Sequence, residues 1–162
     1  MPRPIAVVAD GNVKVAWVPT LTVAAPTAAQ AIAGTDLSCY LTSDGWVPSL
    51  DQAIIADDRL CDIATFQNPG RKTENLQVRY TYNPNTPAEN VAFTTLVPNT
   101  AGYFVVRWGL ANATAFAVGQ KIDFYPVTCG AQLKQPPEAN SVLHVTQKMF
   151  ITSTTVADIA LV

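Results

Sequence analysis

Charge is scarce in this sequence. Asp, Glu, Lys and Arg make up 14% of the 162 residues, whereas an average soluble protein has about 25%. The net charge is −2, and no run of Lys or Arg forms the basic stripe of a protein that grips DNA. This excludes a DNA-gripping protein and indicates that partners cover part of the surface. A neutral monomer with a polar, uncharged surface is the alternative.

Histidine and cysteine are also rare. The single histidine, His144, excludes a histidine-based metal cluster within one chain. Three cysteines, Cys39, Cys61 and Cys129, are an odd and scattered set, which excludes a disulfide framework and favours a reducing compartment. Nothing in the sequence places Cys61 and His144 together as a catalytic dyad. We therefore interpret them as a small buried cysteine and a histidine within a strand.

Catalytic and targeting motifs are missing as well. The sequence contains no phosphate-binding loop, no dinucleotide fingerprint, no G-x-S-x-G and no C-x-x-C. No run approaches the roughly 20 apolar residues of a membrane span, and prolines interrupt the start, MPRPIAVVADG, where a signal peptide needs apolar residues. Asp57 and Asp58 would point to opposite faces of a strand, so they do not form an acid–base pair. We expect no enzyme, no cofactor, no metal and no membrane contact.

Apolar residues, at 49% of the chain, are sufficient for one hydrophobic core, so we predict a single domain over residues 1–162. Prolines lie between the predicted elements, which favours a meandering antiparallel fold. Strand patterns predict a hairpin around Asp10-Gly11-Asn12 and further strands. The predicted strands are Ile5–Ala9, Val13–Val18, Leu37–Leu41, Asn75–Asn83, Ala101–Leu110, Lys121–Thr128 and Ser141–Thr152.

Helix signals are few. Thr27 as N-cap and Gly34 as stop predict one or two helical turns between them. Thr86, Pro87 and Glu89 form the pattern of a capping box, which predicts the main helix at Pro87–Leu96. The stretch Trp46–Asp62 mixes apolar and acidic residues without a period, so we predict an irregular loop there.

Three phrases carry a resemblance to a known family. They are AGTDLSCYLTSDGWVPSLDQAIIADDRLC, FQNPGRKTENLQVRYTYNPN and AGYFVVRWGL. In their length and order they resemble the major tail proteins, or tail tube proteins, of siphophages that infect actinobacteria. The resemblance spans about Pro2 to Leu110 and carries no chemical signature.

The resemblance implies a mainly β fold of two antiparallel sheets, packed as a sandwich or partial barrel with one flanking α-helix. This plan is similar to the tube protein of type VI secretion. It also implies hexameric rings of this chain that stack into a tail tube, with the tape measure protein and other tail proteins as partners. Double-stranded DNA would pass transiently through the lumen, and the protein would belong to the virion tail, assembled in the host cytoplasm.

A conduit should not hold DNA, because each cation that touches a phosphate adds affinity. Acidic or neutral residues should therefore line the lumen, and Arg79 and Arg107 should not dominate it. The candidate lumen-facing residues are Asp57, Asp58, Asp62, Glu74, Gln77 and Thr81. A second hypothesis assigns the aperiodic stretch to contacts between subunits, with the candidates Trp46, Val47, Leu50, Asp51, Ile54, Ile55 and Arg59.

A virion-surface β-sandwich that binds host carbohydrate is the alternative function. Such a module would present aromatic and acidic residues together on loops. The aromatic residues here fall mainly within apolar strand patterns, which favours the tube.

Overall fold

Antiparallel strands form most of the protein, and two short helices and one 3₁₀ turn pack on them. The computed structural model describes residues 2–162. The strands are β1 Val13–Val18, β2 Thr35–Asp36, β3 Leu41–Asp57, β4 Phe66–Thr81, β5 Ala101–Trp108, β6 Lys121–Lys134, β7 His144–Ile151 and β8 Val156–Ala160. The helices are α1 Ala28–Ala33 and α2 Val91–Thr95, and the 3₁₀ turn is Pro87–Glu89.

All the strands belong to one curled sheet with the order β2-β1-β5-β6-β7-β4-β3, and β8 pairs with β6. On one side of β6, its first residues pair with β8 and the residues from Val127 onward pair with β7. The sheet therefore divides along β6 and curls into a partial barrel. This confirms the predicted mainly β, antiparallel fold, with one divided sheet in place of two separate ones.

The central strands are buried on both faces. In β5, Phe104 and Val106 enter the cluster that α2 covers, while Val105 enters the cluster that α1 covers. Successive side chains of a strand point to opposite faces, so one short strand contributes to both cores. Each such side chain contributes about 1.5–3 kcal/mol by its burial. The strongly apolar pattern of Ala101–Leu110 predicted this two-faced strand correctly.

The predicted N-terminal hairpin is wrong. Residues Ile5–Ala9 form no strand, and Ile5, Val7 and Val8 are exposed. A turn does form, since the Asn12 backbone N–H donates to the Ala9 carbonyl. However, β5 occupies one edge of β1 and β2 part of the other, so β1 is already paired on both sides.

The strand predicted at Leu37–Leu41 is also wrong. The strand lies earlier, at Thr35–Asp36, and the chain then turns back before β3 begins. Asp36 causes this turn, because its Oδ1 accepts hydrogen bonds from the backbone N–H and the hydroxyl of Ser38. Leu37 is fully buried within the turn.

The two predicted helices had different outcomes. The first is confirmed as α1, with Thr27 and Gln30 forming a capping box. The predicted main helix is broken into the 3₁₀ turn and α2, and Thr86 makes no side-chain cap. Glu89 accepts a hydrogen bond from Asn83 instead of closing the capping box.

The predicted loop at Trp46–Asp62 is mostly strand. β3 and β4 form a long hairpin that is buried at its base, and residues Ser49–Thr73 extend from it as an exposed projection, which we call the arm. An alternating pattern arises only where one face of a strand is buried. Because neither face of the arm is buried within one copy, its sequence shows no period. Patterns also failed to predict β8, and β6 extends beyond the predicted Thr128.

Candidate assembly surfaces

Four strand segments form a sheet that we call the wing: the parts of β3 and β4 outside the arm, all of β7, and the end of β6 from Val127. One face of the wing is buried against the α2 core through Leu76, Val78, Tyr80, Val145 and Met149. The other face, which we call the open face, is mostly polar and includes Gln77, Arg79, Thr81, Thr146 and Lys148. The clean alternation of β4, which the sequence shows, produces this division.

A buried polar cluster anchors α2 to the wing. Gln147 donates from Nε2 to the Leu96 and Gly130 carbonyls at 2.9 and 2.8 Å and accepts from the Tyr80 hydroxyl at 2.9 Å. Gln132 Nε2 lies 2.8 Å from the Phe93 carbonyl and 3.1 Å from the Tyr80 hydroxyl. Burial raises the pKa of Tyr80, which therefore stays neutral and donates. The cluster satisfies carbonyls at the end of the helix and at the irregular pairing of β6 with β7.

The structure places the predicted lumen residues in three different places. Gln77 and Thr81 share the open face. Glu74 lies on the opposite face, where its carboxylate accepts a hydrogen bond from the Thr155 hydroxyl at 2.6 Å. The three acids Asp57, Asp58 and Asp62 lie at the end of the arm, outside the wing. The structure therefore brings together only two of the predicted residues.

Arg79 and Arg107, the two arginines that could bind DNA phosphates in the lumen, both have partners within the chain. Arg107 is fully buried, and its guanidinium lies 5.4 Å from the centre of the Phe116 ring. Its acceptors are the Ala111, Thr114 and Ala115 carbonyls and Gln120 Oε1. Arg79 lies on the open face and forms an ion pair with Asp44 at 2.8 Å.

The arm exposes apolar side chains. Of the predicted inter-subunit residues, Val47, at its base, and Leu50, Ile54 and Ile55, along it, are exposed. The arm also exposes Leu60, Ile63 and Phe66, which our sequence reasoning missed although each is an apolar residue in the same aperiodic region. An isolated two-stranded hairpin is marginally stable in water, and the arm packs on no other element within residues 2–162.

The polar and aromatic members of the predicted inter-subunit set have partners within the chain. Trp46 packs edge-on against Phe104 and Tyr125, so it belongs to the core. Asp51 accepts a hydrogen bond from Asn75, and Arg59 pairs with Asp57.

Both edges of the wing lack a strand partner within residues 2–162. β3 is the last strand in the sheet order, so its outer edge is free. At the other end, β5 pairs with β6 only as far as Thr128, and Ala131–Lys134 has β7 on one side alone. Free edges of this length pair readily with other chains.

The remaining reactive groups are dispersed. Cys61 is exposed at the arm, which corrects our interpretation of it as buried, whereas His144 begins a strand as predicted. Burial raises the pKa of the Cys129 thiol to about 11, which makes it a poor nucleophile. Among residues 2–162, no His, Cys, Asp and Glu side chains cluster so as to hold a metal ion. Nor does any helix there have the length and apolar character needed to cross a membrane.

Comparison with known proteins identifies the family. A family model described as phage tail tube protein matches residues 1–162. The chain belongs to the phage tail tube protein family. It is therefore a structural component of the phage tail and not an enzyme. This confirms the resemblance in the sequence phrases at the level of the family and favours the tube over a carbohydrate-binding module.

Solved structures share the tail tube fold at low sequence identity. One is a chain in the cryo-EM structure of an extracellular contractile injection system, the PVC sheath/tube terminator in its extended state. Its TM-score is 0.55 at 10% identity, over 98% of this chain and 99% of that chain. Another is a chain in the 6-fold symmetrised baseplate of the anti-feeding prophage, with a TM-score of 0.53 at 12% identity over 97% and 98% of the two chains. No curated protein matches the sequence.

Proposed function

We propose that copies of this chain form hexameric rings that stack into the tail tube of a siphophage, and that double-stranded DNA passes through the lumen. The observation that carries this proposal is the wing, a sheet with two free edges and one polar, open face. The 6-fold symmetry of the baseplate structure with a similar chain supports a six-membered ring. The sequence phrases support a phage of actinobacterial hosts.

In this ring, β3 of one subunit pairs with Ala131–Lys134 of the next. Such pairing would occupy both edges and close a barrel that has no free edge. If each subunit contributes the four segments of the wing, roughly 24 strands about 4.8 Å apart and tilted by about 40° give a backbone diameter of roughly 45 to 50 Å. A DNA duplex fits within that diameter.

The open face lines the lumen in this arrangement, because the opposite face of the wing is buried in the core. Gln77 and Thr81 are the lumen residues that we retain from the sequence prediction, whereas Glu74 lies on the opposite face of the sheet and is not part of the lumen in our proposal. The acids Asp57, Asp58 and Asp62 would face the lumen only where the arm itself borders it.

The arm contacts adjacent subunits or rings in our proposal. Its exposed apolar residues, such as Leu50, Ile54 and Ile55, support this role because they have no core within one copy. Stacking of rings is open-ended, so tube length would depend on other tail components such as a tape measure protein.

Electron microscopy of the purified protein tests the proposal. We expect stacked rings or hollow tubes from the unmodified chain. Pro48 already lies in β3, and a strand tolerates proline only where its missing N–H would face away from the partner strand. Since successive N–H groups alternate in direction, Leu50 should also direct its N–H to the free edge. Leu50→Pro should therefore fold normally and fail to form rings.

Leu50→Ala is the matched control, because it removes the same side chain and keeps the backbone donor. We expect it to form rings at a moderately higher protein concentration. Rings of Leu50→Pro with wild-type stability would contradict pairing through this part of the β3 edge. A wild-type protein that remains a monomer and binds sugars would contradict the tube itself.

A further inference from the structure

The beginning of β3 contains a bulge beside the open face. Leu41 pairs with Tyr80 and Trp46 pairs with Val78. The segment Thr42–Gly45, which we call the bulge, therefore lies opposite a single β4 residue, Arg79. Inserted residues of this kind bend a strand locally and redirect a side chain.

The side chain that the bulge redirects is Asp44. Its Oδ2 lies 2.8 Å from Nη1 of Arg79, and its Oδ1 accepts a hydrogen bond from the Thr42 hydroxyl at 2.7 Å. The hydrogen bond from Thr42 holds the pKa of Asp44 below its ordinary value, so the carboxylate is charged at neutral pH. Asp44 is thus fixed as an anion over Arg79 by another residue of the same bulge.

Gly45 lets the bulge close onto β4. A Cβ at this position would meet the Arg79 carbonyl oxygen and would lie 2.8 Å from the Thr42 backbone nitrogen. Any side chain would therefore lift the bulge away from β4 and carry Asp44 with it. The close approach of the Gly45 backbone to β4 therefore helps to position Asp44 beside Arg79.

The ion pair lowers the positive charge of the open face. The charged residues that the strands of the wing place on this face are Arg79 and Lys148, and Lys148 Nζ lies 5.5 Å from the centre of the Phe150 ring. Without Asp44 the cations would outnumber the acids. With Asp44, the charge of Arg79 is matched by an acid and only Lys148 remains without one on these strands.

We propose that the bulge is a charge-compensating device, in which Asp44 holds Arg79 so that its guanidinium does not bind the phosphates of DNA crossing the open face. This inference rests on the proposed function. Arginine binds phosphate through paired, charge-assisted hydrogen bonds. Repeated around every ring, free arginines would add DNA affinity and so resist passage.

Asp44→Asn tests the device, because asparagine keeps an oxygen that accepts from Thr42 and loses only the charge. Tubes are assembled with a short fluorescent DNA duplex, pelleted, and assayed for retained DNA at several salt concentrations. We expect wild-type tubes to retain little DNA and Asp44→Asn tubes to retain at least about tenfold more. The slope of log retention against log salt should steepen by roughly one for each arginine that reaches a phosphate.

Two further variants separate this effect from general charge. Asp44→Asn combined with Arg79→Gln should return DNA retention to the wild-type level, because the exposed cation is gone. Asp158→Asn removes one exposed acid from β8, which pairs only with the start of β6 outside the wing, and should leave retention unchanged. Circular dichroism and electron microscopy confirm that each variant folds and assembles.

Wild-type retention by Asp44→Asn tubes would overturn the inference, as would an equal increase in Asp158→Asn tubes. If the wild-type chain forms no tubes, the proposed function fails separately. The same duplex is then titrated against free subunits to test whether Asp44 keeps Arg79 from binding phosphate. Tighter binding by Asp44→Asn than by the wild type supports the inference, and equal binding overturns it.

Discussion

Buried polar side chains carry much of the specificity of this fold at the scale of single residues. Gln147 and Tyr80 are almost wholly inaccessible to solvent, yet both have hydrogen-bond partners. A buried polar group that loses its partner costs far more than the bond itself contributes. The cluster therefore favours the position of α2 in which these buried groups are paired.

Gln147→Leu should destabilise the subunit by about 2 to 4 kcal/mol, because the Gly130 carbonyl and the Tyr80 hydroxyl would lose buried partners. Urea denaturation of the free subunit measures this change. Thr146→Val, at the neighbouring open-face position, is the control and should cost less than about 1 kcal/mol. A Gln147→Leu protein as stable as the control would show that the cluster is not needed.

The arm makes few contacts with the rest of the isolated subunit. It extends a hairpin well beyond the core and exposes apolar side chains along its length. Natural sheets usually shorten or charge such edges to avoid aggregation. The end of the arm carries the acids Asp57, Asp58 and Asp62, and in our proposal its apolar residues contact a neighbouring subunit.

Replacing Leu60 and Ile63 together by serine should leave the stability of the free subunit unchanged within about 0.5 kcal/mol, because both side chains are fully exposed. The concentration needed for tube assembly should rise more than about tenfold, since burying each side chain in a neighbour would contribute about 1.5–3 kcal/mol. Sedimentation of tubes over a concentration series measures this.

Val118→Ser changes a similarly exposed apolar residue outside the arm and serves as the control. We expect little effect on assembly from it. Unchanged assembly of the Leu60 and Ile63 double variant would remove the end of the arm from the interface.

The whole molecule combines a rigid centre with an unsupported periphery. β1 and β5 are buried on both faces, while β3 has one free edge and most of its residues are exposed. Local stability follows this difference, because regions with few buried contacts open at low free-energy cost. If subunits assemble as we propose, the periphery should gain order in the tube.

Amide hydrogen exchange should show this gradient. In the free subunit, amides of β1 and β5 should exchange slowest and those of Ser49–Thr73 fastest. In assembled tubes, the arm and the β3 edge should gain protection while the central strands change little. Equal protection of arm and centre in the free subunit would contradict a docking role for the arm.

Sequence patterns predicted an element correctly where burial alternates along its strand or where nearby residues cap a helix. The alternation of β4, the apolar run of β5 and the N-cap at Thr27 were all predictable, because their causes lie within a few neighbouring residues. The broken helix after Thr86 shows the limit. The sequence there has a capping pattern, but the tertiary fold places Asn83 beside Glu89, whose carboxylate accepts a hydrogen bond from it.

The sequence by itself determined the mainly β class, the two faces of β4 and β5, and membership of the phage tail tube family. Only the tertiary structure showed that Trp46–Asp62 is largely strand, that Glu74 faces away from Gln77 and Thr81, and that Asp44 forms an ion pair with Arg79. The reason is that these features depend on pairing between distant segments. A residue pattern records burial within its own strand, but it does not record which strand lies beside it or which edge is left free.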